Sequence, residues 1–193
     1  MAQGGRERSE GKGTAMKSSL GYLEYAALPV SPENMTPEMV EILDYWTAVR
    51  GDAFAPAWRD FHLHELPPTA IPMTVVVDLD QAADRIIYRF WGTGRTQLYG
   101  RDNTGRDVRD GLPDEAGPTV ARQYLMVARA RLPMLFRNVY PLRTRESSTG
   151  LTLRLPLSSD GETVDKVVAY ATFLRNPGVF VKYVNPDGRE ATL

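Results

Sequence analysis

The sequence predicts an α+β domain: a five-stranded antiparallel sheet with helices on one face, preceded by an N-terminal helix. Three observations carry this. Runs of β-branched or alternating apolar residues occur twice before Gly92 and three times after Pro133, so the strands come as a pair and a trio. Between them lies a stretch of glycine turns followed by helical spacing. Ahead of them stands a helix with a clear start and stop.

Residues Met1 to Ser19 are rich in Gly, Ser and charge and almost without apolar side chains, the composition of a flexible tail, and Met16 is an alternative start. Leu20 to Pro32 is more apolar but broken by Pro29 and Pro32, and reads as a packed arm. The first helix is expected from Thr36 to Arg50. Thr36 suits the N-cap, Pro37 the first turn, Glu38 the positive end of the dipole and Gly51 the stop. Met39, Ile42, Leu43, Trp46 and Val49 make one apolar stripe. That stripe covers the outer face of its own sheet or pairs with a second copy, with Met39, Leu43 and Trp46 as the candidate dimer contacts.

A Pro-rich connection leads to the run Met73 to Leu79, and a second strand follows in which Ile86, Tyr88 and Phe90 alternate with Ile87, Arg89 and Trp91. Turns at Gly92, Gly94, Gly100 and Gly105 enclose a single helical turn at Gln97 to Tyr99. A longer helix is expected from Asp114 to Ala130, ended before Pro133. The trio consists of Met134 to Leu142, the alternating run Leu151 to Leu157, and Val167 to Leu174 after the turn SSDGET. Val179 to Val184 reads as a further edge strand. The corresponding division is a tail at 1–19, an arm and helix at 20–71, the domain proper at 72–175 and a C-terminal tail at 176–193.

Composition narrows function. The chain has 193 residues, 42% hydrophobic and 24% charged, enough for one globular core. A net charge of -1 gives no general attraction to nucleic acid or anionic membrane. No run is long and apolar enough for a membrane span and the start lacks a secretory core, so the expected location is cytoplasmic. The absence of cysteine excludes a disulfide framework, a thiolate metal site, a cysteine nucleophile and cysteine-adduct photochemistry.

The element order, with Tyr45-Trp46 and Arg50-Gly51 closing the first helix, Phe90-Trp91-Gly92-Thr93 at the strand end, and Leu98-Tyr99-Gly100-Arg101-Asp102-Asn103-Thr104-Gly105-Arg106 after it, resembles the PAS superfamily. It is most similar to a family of small alphaproteobacterial PAS-like proteins of mostly unassigned function. The resemblance spans about Glu38 to Leu174, and the later run LRLPLSSDGETVDKVV matches the same family's fourth and fifth strands. It implies a sheet cupping a cavity and a sensory or interaction role, with an unknown small molecule or a signalling protein as partner, and no catalytic residues. No cofactor is predicted. A haem-binding member uses a histidine on the long helix, which has none here, and an adduct-forming flavin needs the missing cysteine.

Each constellation has a plain alternative. His62 and His64, with Asp60 and Glu65 beside them, have the spacing of two metal-ligating imidazoles, yet a solvated Pro-rich loop carrying ordinary polar residues accounts for them equally, and no metal is predicted. Gly92-Thr93-Gly94 opens like a dinucleotide fingerprint but has Gln97 where the third glycine belongs and no βαβ context. Arg95, Arg101 and Arg106 could hold an anion, although Asp102, Asp107 and Asp110 favour local ion pairing. Tyr88, Phe90, Tyr99, Tyr124, Phe136 and Tyr140 either line a ligand cavity or fill a plain core. The first reading is a sensory or regulatory module, not an enzyme, that signals through dimer or partner interfaces. The alternatives are an enzyme or metabolite-binding protein using Asp78 or Asp165 as a base, and a structural dimerisation unit.

Overall fold

The computed structural model describes residues 23–82, 84–112, 116–142, 144–185 and 188. Six strands, β1 (Glu24–Leu28), β2 (Thr74–Asp80), β3 (Arg85–Trp91), β4 (Met134–Pro141), β5 (Ser147–Leu157) and β6 (Lys166–Arg175), form one antiparallel sheet in the order β1-β4-β5-β6-β2-β3. The α-helices among the described residues are α1 (Pro37–Arg50), α2 (Thr93–Tyr99), α3 (Ala116–Ala130) and α4 (Pro177–Val184).

The order of the strands explains the cup. The chain leaves the sheet at its β3 edge and rejoins it at β4, three strands beyond β2. The connection must therefore cross one face of the sheet, and it carries α2 and α3 over that face as it goes. This is the α+β, PAS-like arrangement expected from the pair and the trio of strands.

Two expectations are corrected. The residues read as an arm supply β1, whose register on β4 runs from Glu24 opposite Val139 to Leu28 opposite Leu135, so the sheet has six strands. Its edge position is secured by Tyr25, whose ring meets Phe136 edge-on at 5.8 Å. The segment read as an edge strand, Val179 to Val184, lies in α4 instead. Asn176 takes a left-handed conformation, which asparagine tolerates, and turns the chain back over the sheet; Pro177 then suits the first helical turn. Val179, Phe180 and Tyr183 fall on one helical face and are buried there. Helices α2, α3 and α4 lie over the cup, and α1 covers the outer face, the first of the two readings of its apolar stripe.

Helix α1 forms as its ends predict. Thr36 Oγ1 accepts from the Met39 amide at 3.4 Å, and Gly51 leaves the helix at φ 53°. Met39, Ile42 and Trp46 pack with Leu153, Leu155 and Val168 of the outer face. Trp46 Nε1 also donates to the Pro156 carbonyl at 2.8 Å. Met39 and Trp46, expected as dimer contacts, are 0% and 3% exposed within their own chain, and Leu43 is half-buried against the same cluster. The apolar stripe is spent inside the subunit, so it offers a second copy little surface. The expected tail at Met1 to Ser19 lies outside the described residues, as do 113–115 at the start of the long helix. Among the described residues no helix is long and apolar enough to cross a membrane.

Trp46→Phe leaves the Pro156 carbonyl without its buried donor and opens a small void in the outer-face core. Urea unfolding should show a loss of about 1–3 kcal/mol, and an unchanged midpoint would mean that α1 is not anchored through this bond.

Candidate functional site

The interior of the cup is organised by a strand that is buried on both faces. In β5 the leucines at 151, 153, 155 and 157 point to the α1 side, which leaves Gly150, Thr152 and Arg154 facing the cup. Arg154 is only 3% exposed. Among the described residues it makes no ion pair. Its guanidinium lies 3.9 Å from the ring centroid of Tyr124 and 5.9 Å from that of Phe136, a cation held by aromatic faces.

A chain of buried amides holds this arginine in place. Arg154 Nε and Nη2 donate to Gln123 Oε1 at 3.3 and 2.8 Å. Because arginine has no acceptor, Gln123 must present its oxygen, and its amide nitrogen is turned to Asn138 Oδ1 at 2.8 Å. Asn138 Nδ2 in turn donates to Thr152 Oγ1 at 3.0 Å. The chain links α3, β4 and β5 inside the core, where an unsatisfied group would be costly.

A second cation comes from the segment after β3. The chain turns at Gly92, where a Cβ would stand 2.3 Å from the Pro72 carbonyl oxygen, and α2 then runs to Gly100 at φ 68°. Trp91, Arg95 and Tyr99 recur every four residues on one side. Arg95 Nε donates to the Met73 carbonyl at 3.0 Å, its guanidinium lies 5.6 Å from the Trp91 ring, and the rings of Trp91 and Tyr99 meet edge-on at 4.8 Å. The local ion pairing expected for Arg95 is not formed among the described residues, because its α2 position aims it inward, away from the aspartates of the following loop. Gly94, expected in a turn, lies within α2.

Arg95 and Arg154 line one cavity of about 30 Å³, together with Tyr88, Tyr99, Tyr124, Tyr140, Thr152 and Phe180. Since one water needs roughly 10–15 Å³ on such a measure, the space suits a small polar head more than a large molecule. Three of its tyrosines, Tyr88, Tyr99 and Tyr140, are held above the usual tyrosine range. Burial, then the neighbouring phenols Tyr124 and Tyr99, push Tyr88 well above the usual tyrosine range, with Arg95 and Arg154 opposing. Tyr99 and Tyr140 are pushed up chiefly by burial as well. The cavity is therefore rich in donors and poor in negative charge.

Of the six aromatic candidates, Tyr88, Tyr99, Tyr124 and Tyr140 line the cavity. Phe136 is fully buried behind Arg154. Phe90 is corrected to the opposite face, where it packs near α1. The cause is a bulge: Val76 faces Phe90 and Val77 faces Tyr88, so Arg89 is an extra residue that reverses the alternation. The residues that the sequence reading did not gather are Arg154, Gln123, Asn138 and Phe180. A charged side chain in the run Leu151 to Leu157 was the available signal for Arg154. Nothing comparable marked Phe180.

His62 and His64 stack with ring centroids 5.4 Å apart, His64 faces exposed Glu65, and the described residues contain no group of three or more His, Asp or Glu able to hold a metal. Asp78 pairs with Arg89 at 2.7 Å. Asp165 is pushed up by burial but carried below its usual range by hydrogen bonds from Lys166 and Ser159. Neither carboxylate lines the cavity.

No family model matches the chain, and no curated protein matches it. Solved structures with a similar fold include the light-state LOV domain of the blue-light photoreceptor Aureochrome1, at 14% identity and TM-score 0.41 over 62% of this chain and 93% of that one. A fungal LOV photoreceptor is similar at 19% identity and TM-score 0.38 over 53% and 75% of the two chains. An RNA-binding LOV receptor is similar at 11% identity and TM-score 0.42 over 86% of this chain and 42% of that one. At these TM-scores the likeness carries no argument about ligand or partner, and the fold assignment rests on the strand order itself.

Two outcomes check this site. The buried tyrosines hold their protons longer when folded than when unfolded, so the unfolded state loses protons first as pH rises beyond about 10. Stability measured by urea unfolding should fall above that pH, and a flat profile would contradict buried phenols. Gln123→Leu leaves Arg154 and the side-chain oxygen of Asn138 without their hydrogen-bond partner and should cost about 2–4 kcal/mol; a neutral effect would show the amide chain to be dispensable.

Proposed function

We propose that this protein is a PAS-like sensory or regulatory module, not an enzyme, related to the small alphaproteobacterial PAS-like family. It takes a small ligand into the cup and reports occupancy through α4 to a signalling protein or a second copy. The observation that supports this is the position of Phe180. It lines the cavity while belonging to the last helix, and it stacks edge-on with Tyr99 of α2 at 5.5 Å and Tyr140 of β4 at 4.7 Å. Any molecule larger than the cavity must displace this ring, and with it α4. Occupancy and helix position then become a single equilibrium, shifted by whatever the ligand gains in one state over the other.

Among the described residues no carboxylate lines the cavity, and Asp78 and Asp165 are engaged elsewhere, which favours sensing over catalysis. A cytoplasmic location, with no nucleic acid or membrane as partner, accords with the near-neutral charge of the chain. A homodimer is part of the proposal, formed through surfaces other than Met39 and Trp46.

Native mass spectrometry of the freshly purified full chain should show a retained small molecule and the subunit count. Hydrogen exchange should then differ at residues 177–184 between the protein as purified and the protein stripped of that molecule. Equal exchange at α4 in the two states would contradict the sensory reading.

A further inference from the structure

We propose that the cup binds a small organic carboxylate, its head held by Arg95 and Arg154 and its apolar tail directed toward Phe180. This rests on the sensory reading above and specifies the ligand class of the same site. The starting point is Arg154, a cation in the interior. Withdrawing a guanidinium from water is costly unless an anion meets it, and no carboxylate among the described residues pairs with it. Gln123 supplies one neutral oxygen and Tyr124 a ring face, which orient the group without neutralising it.

Arg95 adds a second cation to the same wall, also without an ion pair among the described residues. The hydroxyl-bearing groups around them are tyrosines and threonines, which can donate to an anion. Trp91 Nε1, buried among Tyr88, Arg95 and Tyr99, is a further donor with no acceptor. Two guanidinium groups and neutral donors match a carboxylate in charge and in hydrogen-bond character. The remaining lining is apolar, with Leu112, Val120 and Phe180. That favours a carboxylate bearing a hydrocarbon or aromatic tail over inorganic phosphate, which would have no use for it.

The test uses the full chain and sodium acetate, propionate and benzoate, with benzamide as the neutral counterpart and sodium chloride and inorganic phosphate as controls. Thermal shift and tryptophan fluorescence are the readouts. At least one carboxylate should raise the melting temperature beyond the effect of chloride, while benzamide should not. Arg154→Gln and Arg95→Gln should each weaken that binding on the order of tenfold or more, the equivalent of one charge-assisted hydrogen bond. Arg137→Gln, on an exposed position of β4, should leave it unchanged. Should Arg154→Gln fail to fold, Arg95→Gln on the half-exposed α2 position still decides the matter.

The inference is overturned if no carboxylate acts beyond chloride, if benzamide matches benzoate, if phosphate alone binds, or if both variants bind like the parent. The two readings fail separately. A neutral molecule retained in the cup would end the carboxylate assignment and leave sensing intact, whereas carboxylate binding without any response at α4 would end sensing and leave the site.

Discussion

The interior of this protein depends on a positive charge almost wholly withdrawn from bulk solvent. Arg154 sits on a strand buried on both faces, and the surrounding residues are arranged to tolerate it: an amide oxygen from α3, an aromatic face on each side, and a relay of hydrogen bonds back to its own strand. Replacing such a group with an apolar residue would often give a more stable core. Under the proposal above the charge holds an anion, and the same cavity offers a second guanidinium and several neutral donors.

Topology turns that local feature into a device. Because the chain crosses one face of the sheet between β3 and β4, α2 and α3 must roof the cup, and the last helix closes it from the side. The other face is sealed by α1. Movement of the roof accommodates a large occupant without breaking the sheet. Phe180 makes α4 the element most directly coupled to the contents, since its ring shares the cavity wall and also touches Phe173 of β6 at 4.6 Å.

Much of this was legible in the chain. The caps of α1 and the strand pair and trio could be placed from spacing alone, because apolar periodicity reports which face of an element is buried. Other features depend on interactions that periodicity does not carry. Phe90 was turned outward by one extra residue at Arg89, and a bulge is a property of two paired strands, not of one. Val179 to Val184 has strand-like composition, but Asn176 and Pro177 redirect it and burial on the cup selects the helix. Residues 24–28 become a strand only because β4 offers a free edge. Arg95 illustrates the same limit: a linear reading surrounds it with aspartates, whereas the helix points it away from them.

A crystal structure of the full chain with 4-bromobenzoate tests the central claim most directly, because the bromine reveals the ligand by anomalous scattering. The account predicts the bromine signal inside the cup beside Phe180, with the carboxylate in hydrogen-bond contact with Arg154 and Arg95. Arg154 neutralised by one of the protein's own carboxylates, with the bromine elsewhere or absent, would contradict it.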